Sequence, residues 1–188
     1  MRWPYLLPVV SAWRTSQCIG VPKGPGRSGW YQILERFPDL RAEAQLLFEE
    51  DLARIRALES KLASHLQFVT MLVPLSAGLV GWAFANRAIV SVVCSLVGTG
   101  YLVMAGFGSQ LGIRSVELNV ATPLDVEWAA ENERDPVVFL AAARMDAVQR
   151  NSQLSVGLHN YIWGVEWSLA WAAIFLGLSA MAVVFKIA

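Results

Sequence analysis

Charges vanish from three stretches of this chain and return between them. Phe68 to Ala85 reads FVTMLVPLSAGLVGWAFA, eighteen residues without a charge. Asn86 and Arg87 interrupt it, and Ala88 to Ile113 adds twenty-six more uncharged residues. Trp167 to Phe185, WSLAWAAIFLGLSAMAVVF, is a third run of nineteen, which Tyr161 to Val165 extends backwards. A bilayer core of about 30 Å takes roughly 20 apolar residues as a helix. The first two runs, joined by a two-residue polar break, therefore predict a tight transmembrane hairpin over 67–113. The last predicts a third span over 161–188. A chain of 188 residues has no soluble core large enough to hide so much uncharged sequence.

Outside these runs the apolar positions recur at helical spacing. Asp39 is a plausible N-cap for the run LRAEAQLLFEEDLARIRALESKLASHL. In it Phe48, Leu52, Ile55, Leu62 and Leu66 form a seam of coiled-coil type, with Leu58 beside it. This predicts an amphipathic helix over 39–66 that runs into the first span without a breaker. Pro74 falls inside that span, where membrane helices tolerate a kink. Thr122-Pro123-Leu124-Asp125 combines a cap, a Pro at the first helical position and an acid, which predicts a short helix through Glu133. Asp135-Pro136 repeats the signal and opens a long helix whose expected buried face holds Val137, Ala141, Met145, Val148, Ser152 and Ser155. Residues 1–38 carry prolines and glycines with no period and are expected to be a disordered leader; in particular the run VPKGPGRSG is not expected to hold a helix. The alternative for this segment is a basic membrane-adhering tail using Trp3 and Trp13. No alternating strand pattern of useful length exists. The expected fold is an all-α integral membrane protein with three transmembrane helices, a hairpin plus a C-terminal span. Long cytoplasmic helices, 39–66 and within 114–160, extend the spans as a stalk.

Charge then sets orientation. Nine of the fifteen Lys and Arg precede the first span and four lie between the second and third. Only Arg87 marks the hairpin turn and only Lys186 the tail. The positive-inside rule places the N-terminus and 114–160 in the cytoplasm of a multi-pass protein of the cell inner membrane. Charged residues make up 16% of the chain against nearer 25% in soluble domains, and the mean hydropathy is +0.45, in keeping with the spans. The formal net charge is zero, so no nucleic-acid partner is expected. Cys18 is expected in the cytoplasm and Cys94 within the second span, out of each other's reach, so no disulfide is expected. The two His and two Cys are isolated, which gives no metal-ligand spacing and no expected cofactor. Phosphate-cradling loops, nucleophile elbows and paired intramembrane acids are absent from the sequence, so no enzyme activity is expected.

Glu166, between Trp163 and Trp167, is a carboxylate at the start of a span. Such a group costs a few kcal/mol in hydrocarbon unless it meets a partner or water. Gln67, Thr70, Ser109 and Gln110 are expected at its depth, with His159 on roughly its face. Glu166, His159, Gln67 and Gln110 are thus the gating or packing candidates; the alternative is an interfacial Glu reaching headgroup water. Trp163 and Trp167 suit interfacial anchoring, and Trp171 is deeper, where packing is expected. His65 and His159 both stand where a helix enters the membrane. Small residues recur at helix-packing spacing as Ala77 and Gly81, Ser91 and Ser95, Gly108 and Gly112, Ala173 and Gly177. Arg54, Lys61, Arg144 and Arg150 are candidates for an anionic-ligand site; the alternative is a solvated face with pairs such as Asp146 with Arg150.

The order of parts, with ALESKLASHLQF leading into a hairpin and AARMDAVQRNSQLSVGLHN leading into the last span, resembles a known family. It is similar to the transmembrane effectors of bacterial cyclic-nucleotide anti-phage systems, the Pycsar and related two-span types. The likeness covers about Leu46 to Val184, with Glu59, Lys61, Arg144 and Asn151 as loosely matching positions; residues 1–30 have no counterpart. It implies a homo-oligomer among membrane lipids that disrupts or depolarises the membrane after a cytoplasmic trigger, such as a cyclic nucleotide. Two other functions fit the residues: a non-enzymatic anchor or scaffold whose stalk recruits a cytoplasmic protein partner, and a small channel or transporter subunit.

Overall fold

The computed structural model describes residues 8–10, 25–116 and 135–185, and no strand occurs among them. Four helices follow in order: α1 (Gly26–Arg36), α2 (Leu40–Ala85), α3 (Ile89–Arg114) and α4 (Pro136–Val184). The last three are long and apolar enough to cross a membrane. The short helix expected from Thr122 to Glu133 lies outside the described residues, as do 1–7 and 11–24 of the expected leader. Contacts divide the chain into two compact units. One, the apolar unit, includes Glu59–Ser115 and Gly157–Ala188; the other, the charged unit, comprises Ile19–Leu58 and Val116–Val156.

In the apolar unit three helices alternate in direction. A β-carbon placed on Gly112 would fall 2.7 Å from Leu62 of α2, and one on Gly106 would fall 3.1 Å from Val69, so α3 runs antiparallel to α2. Against α4 the sequence of neighbours is Gly112 with Tyr161, Gly108 with Val165, Gly98 with Leu176 and Ser91 with Ser179. Each step forward on α3 is a step back on α4. The side of α3 that meets its neighbours is Ser91, Ser95, Gly98, Leu102, Ala105, Gly108, Ser109 and Gly112, small everywhere but Leu102, which lets the backbones approach. Its 26 residues rise about 39 Å, enough to cross a 30 Å core with some tilt.

The hairpin turn is closed by local geometry. Arg87 sits at φ 54°, and the amides of Arg87 and Ala88 donate to the carbonyls of Phe84 and Ala83. That is the Schellman pattern, with a left-handed residue just past the helix end. Arg in place of the usual Gly costs roughly 1 kcal/mol, offset by these bonds and by Asn86 Nδ2 donating to the Trp82 carbonyl.

In the charged unit, α1 is the main correction to the expected leader. The run VPKGPGRSG does not prevent a helix; it starts one. Gly26 takes φ 65°, and a side chain at Gly29 would collide with Pro25 at 2.6 Å. The helix persists because Leu34 is buried with Ala44, Val138, Ala141 and Ala142, flanked by Trp30, Tyr31 and Met145. Burying one Leu contributes about 1.5–3 kcal/mol, more than the roughly 1 kcal/mol a helical Gly costs. Trp30 Nε1 donates to Gln149 Oε1 at 3.4 Å, and Arg27 lies 5.4 Å over the Phe139 ring. Asp135 serves twice, accepting from the Val138 amide at 3.2 Å and pairing with Arg41 at 3.5 Å. The expected face of α4 is out of phase at its start and again at Ser152. Val137 is 61% exposed and Val138 fully buried, and Ser152 is exposed while Asn151 and Ser155 are buried.

The seam on α2 is occupied within the chain. Phe48, Ile55 and Leu62 are buried, while Leu52 and Leu66 are half-buried.

Candidate functional site

Toward one end of the apolar unit each helix carries a charge, Lys61 and Arg114 at the rim and Glu166 further in. Leu62 and Tyr161 both meet Gly112. Next to Leu62 stands Lys61, two residues beyond Gly112 stands Arg114, and five beyond Tyr161 stands Glu166. Parallel α2 and α4 bring Lys61 Nζ within 2.7 Å of Glu166 Oε1. This replaces the expected surroundings of Glu166. Gln67, Gln110 and His159 are all exposed, and no hydrogen bond joins them to it among the described residues. Glu166 projects beside the Trp163–Trp167 edge contact, whose ring centroids are 6.2 Å apart. The carboxylate is therefore held by a cation at the rim of the uncharged stretch. Deeper in, Trp171 packs with Tyr101 at 6.4 Å and with Phe175 at 6.2 Å.

His65 follows Lys61 by one helical turn and precedes the uncharged span that begins at Phe68. It is half-buried, and its Nδ1 is shielded with no hydrogen-bond partner. Burial holds its pKa below the ordinary 6.5, the Glu166 charge opposes that shift, and Lys61 reinforces it. The three groups form a cluster of an ammonium, a carboxylate and an imidazole.

A second polar group lies in the charged unit. Asp51 is half-buried with its Oδ2 shielded and unpartnered. Desolvation raises its pKa above the ordinary 3.8, against the pull of Arg54 and a hydrogen bond from Asn151. Asn151 is fully buried, and Ser155 is 2% exposed with an unpartnered hydroxyl.

The four basic ligand candidates are engaged separately. Lys61 holds Glu166, Arg150 holds Asp146 at 3.1 Å, Arg144 donates to Gln45 Oε1 at 3.3 Å, and Arg54 stands by Asp51. Among the described residues no three His, Cys, Asp or Glu cluster as metal ligands.

The eight helix-packing candidates divide sharply. Ser91, Ser95, Gly108 and Gly112 are buried, whereas Ala77, Gly81, Ala173 and Gly177 are exposed. A β-carbon on Gly81 or Gly177 would touch nothing within 4 Å. Sequence reasoning missed Lys61 as the partner of Glu166, although each is the last charge of its kind before its span. Comparison with family models, characterised proteins and solved structures finds no match to this chain.

Proposed function

We propose that this chain is a multi-pass protein of the cell inner membrane, N-terminus in the cytoplasm, that self-associates and perturbs the membrane when its charged helices receive a cytoplasmic trigger. The observation that carries the reading is an uncovered side of α2. Ser60, Ser64, Gln67, Met71, Pro74, Gly78, Gly81 and Ala85 alternate in steps of four and three, and every one is exposed. The corresponding small-residue side of α3 is covered. Lipid tails give no hydrophobic drive between spans, so close packing of small residues is what joins them. A second copy laid along α2 would gain that packing. The antiviral effector role follows the family resemblance and the cytoplasmic placement follows the basic-residue bias.

Gly78→Leu and Gly81→Leu test the association, with Gly100→Leu as control because a side chain there also meets nothing. Crosslinking in native membranes should show oligomers that the first two weaken and the control keeps. Overproduction with its trigger should then collapse membrane potential only where oligomers persist. Unchanged oligomers in all three variants would remove the basis for the effector reading. An anchor for a soluble partner would then stand in its place, favoured by Leu46 and Val137 in the charged unit, 60% and 61% exposed.

A further inference from the structure

We infer that the apolar unit binds one anionic phospholipid beside α3, with an acyl chain on Val103, Met104, Phe107 and Leu111 and the phosphate on Arg114. The inference rests on the membrane-spanning reading above and is independent of self-association. A groove of about 580 Å³ runs along this side of α3, its far wall formed by Val9 and Val10. That volume lies within the roughly 300–1,000 Å³ range of ligand sites. Every lining side chain is apolar. From Val103 to Leu111 the floor rises about 12 Å, a length an extended hydrocarbon chain can follow.

The groove opens sideways. Val103 and Phe107 are 56% and 60% exposed, and Val10 42%, so the slot faces whatever surrounds the span. In a bilayer that medium is acyl chains. Glycine sets the width: a β-carbon on Gly108 would stand 3.0 Å from both γ-carbons of Val9, a contact that would push the wall outward by a few tenths of an ångström.

The end of the groove distinguishes a lipid site from a generic greasy surface. Met104, Phe107, Leu111 and Arg114 are spaced three, four and three residues apart, one stripe on one helix. Arg114 thus continues the groove floor by one turn, is exposed, and pairs with no carboxylate among the described residues. Lys61, the other strong cation at this level, is already neutralised by Glu166 at 2.7 Å. Arg114 is thus the cation left without a carboxylate partner among the described residues, at the mouth of the slot. An Arg fork there matches a phosphate oxygen pair, and anionic headgroups favour basic residues at such a depth.

The test uses the full chain in nanodiscs containing phosphatidylglycerol and phosphatidylcholine with identical acyl chains, released into native mass spectrometry. The wild type should retain one phosphatidylglycerol in preference to phosphatidylcholine. Arg114→Gln should lower that preference about five-fold, the size of one basic-residue contact with an anionic surface, without changing phosphatidylcholine retention. Val103→Trp fills the slot from an outward position that the fold tolerates and should abolish retention of either lipid. Unfolding of the wild type in detergent gives a reading independent of variants: phosphatidylglycerol should raise the midpoint more than phosphatidylcholine. Equal retention of the two lipids by the wild type, or a Val103→Trp protein with unchanged lipid count, overturns the site. A chain that never enters the nanodisc overturns the membrane reading instead.

Discussion

Ser91 and Ser179 clamp α3 to α4, their hydroxyl oxygens 2.7 Å apart. Each hydroxyl also lies 3.0 Å from the other residue's carbonyl, and the Ser91 carbonyl takes a further bond from Ser95 at 2.7 Å. Both serines are fully buried. Such interhelical bonds in apolar surroundings average about 0.6 kcal/mol. Ser91→Ala and Ser179→Ala should each destabilise by about that amount. In a double-mutant cycle their effects should be strongly non-additive, because they share one contact. Additive losses would mean that the two hydroxyls act separately.

Gly98 offers a steric test of the same contact. A β-carbon there would fall 2.8 Å from Leu176 Cγ and 3.2 Å from its backbone nitrogen. The side chain could turn aside, but the backbone cannot. Gly98→Ala should cost about 1–3 kcal/mol, the usual penalty of overpacking. Gly100→Ala should be neutral or slightly stabilising, since nothing faces it and Ala favours the helix. Detergent unfolding of the two variants side by side checks this.

Lys61 and Glu166 should be coupled by charge rather than by shape. Their side chains are 51% and 47% exposed, so the pair contributes at most about 1 kcal/mol. Lys61→Met and Glu166→Gln should each lower the unfolding midpoint slightly. The exchange Lys61→Glu with Glu166→Lys should recover most of that loss. An exchanged protein weaker than both single variants would show that the surroundings, not the partner, hold the charges.

Acid should loosen the protein through His65. Its folded pKa lies below the ordinary 6.5, so above that value both folded and unfolded forms are neutral and nothing is lost. As pH falls through 6.5 the unfolded chain takes the proton first, and stability drops. Asp51 acts in the opposite sense. Its folded pKa lies above 3.8, so its contribution is complete below 3.8 and disappears as pH rises through the folded value. His65→Gln should therefore flatten the fall in stability below pH 6.5, and Asp51→Asn should raise stability at neutral pH. Midpoints recorded from pH 8 to 4 would show both; a His65→Gln curve parallel to wild type would assign the acid response elsewhere.

What the sequence determined is what short-range physics controls. The uncharged runs form helices long and apolar enough to cross a bilayer, as a backbone in apolar surroundings bonds to itself. Asp135-Pro136 marked the start of α4 because a cap and a Pro act on their own first turn. Asn86 and Arg87 marked the turn for the same reason. Tertiary structure alone decided which side of each helix is covered. In a helix apolar all round, hydrophobic period carries little phase, since lipid and protein interior are equally greasy. That is why Ser91 and Gly108 look like Ala77 and Gly177 in sequence and differ entirely in burial, and why Val138 rather than Val137 turns inward. Glu166 found Lys61, more than a hundred residues away, only because α2 and α4 run parallel. The helix at Gly26–Arg36 escaped sequence reading because Leu34 draws its stability from residues on α2 and α4, not from its own glycine-rich turn.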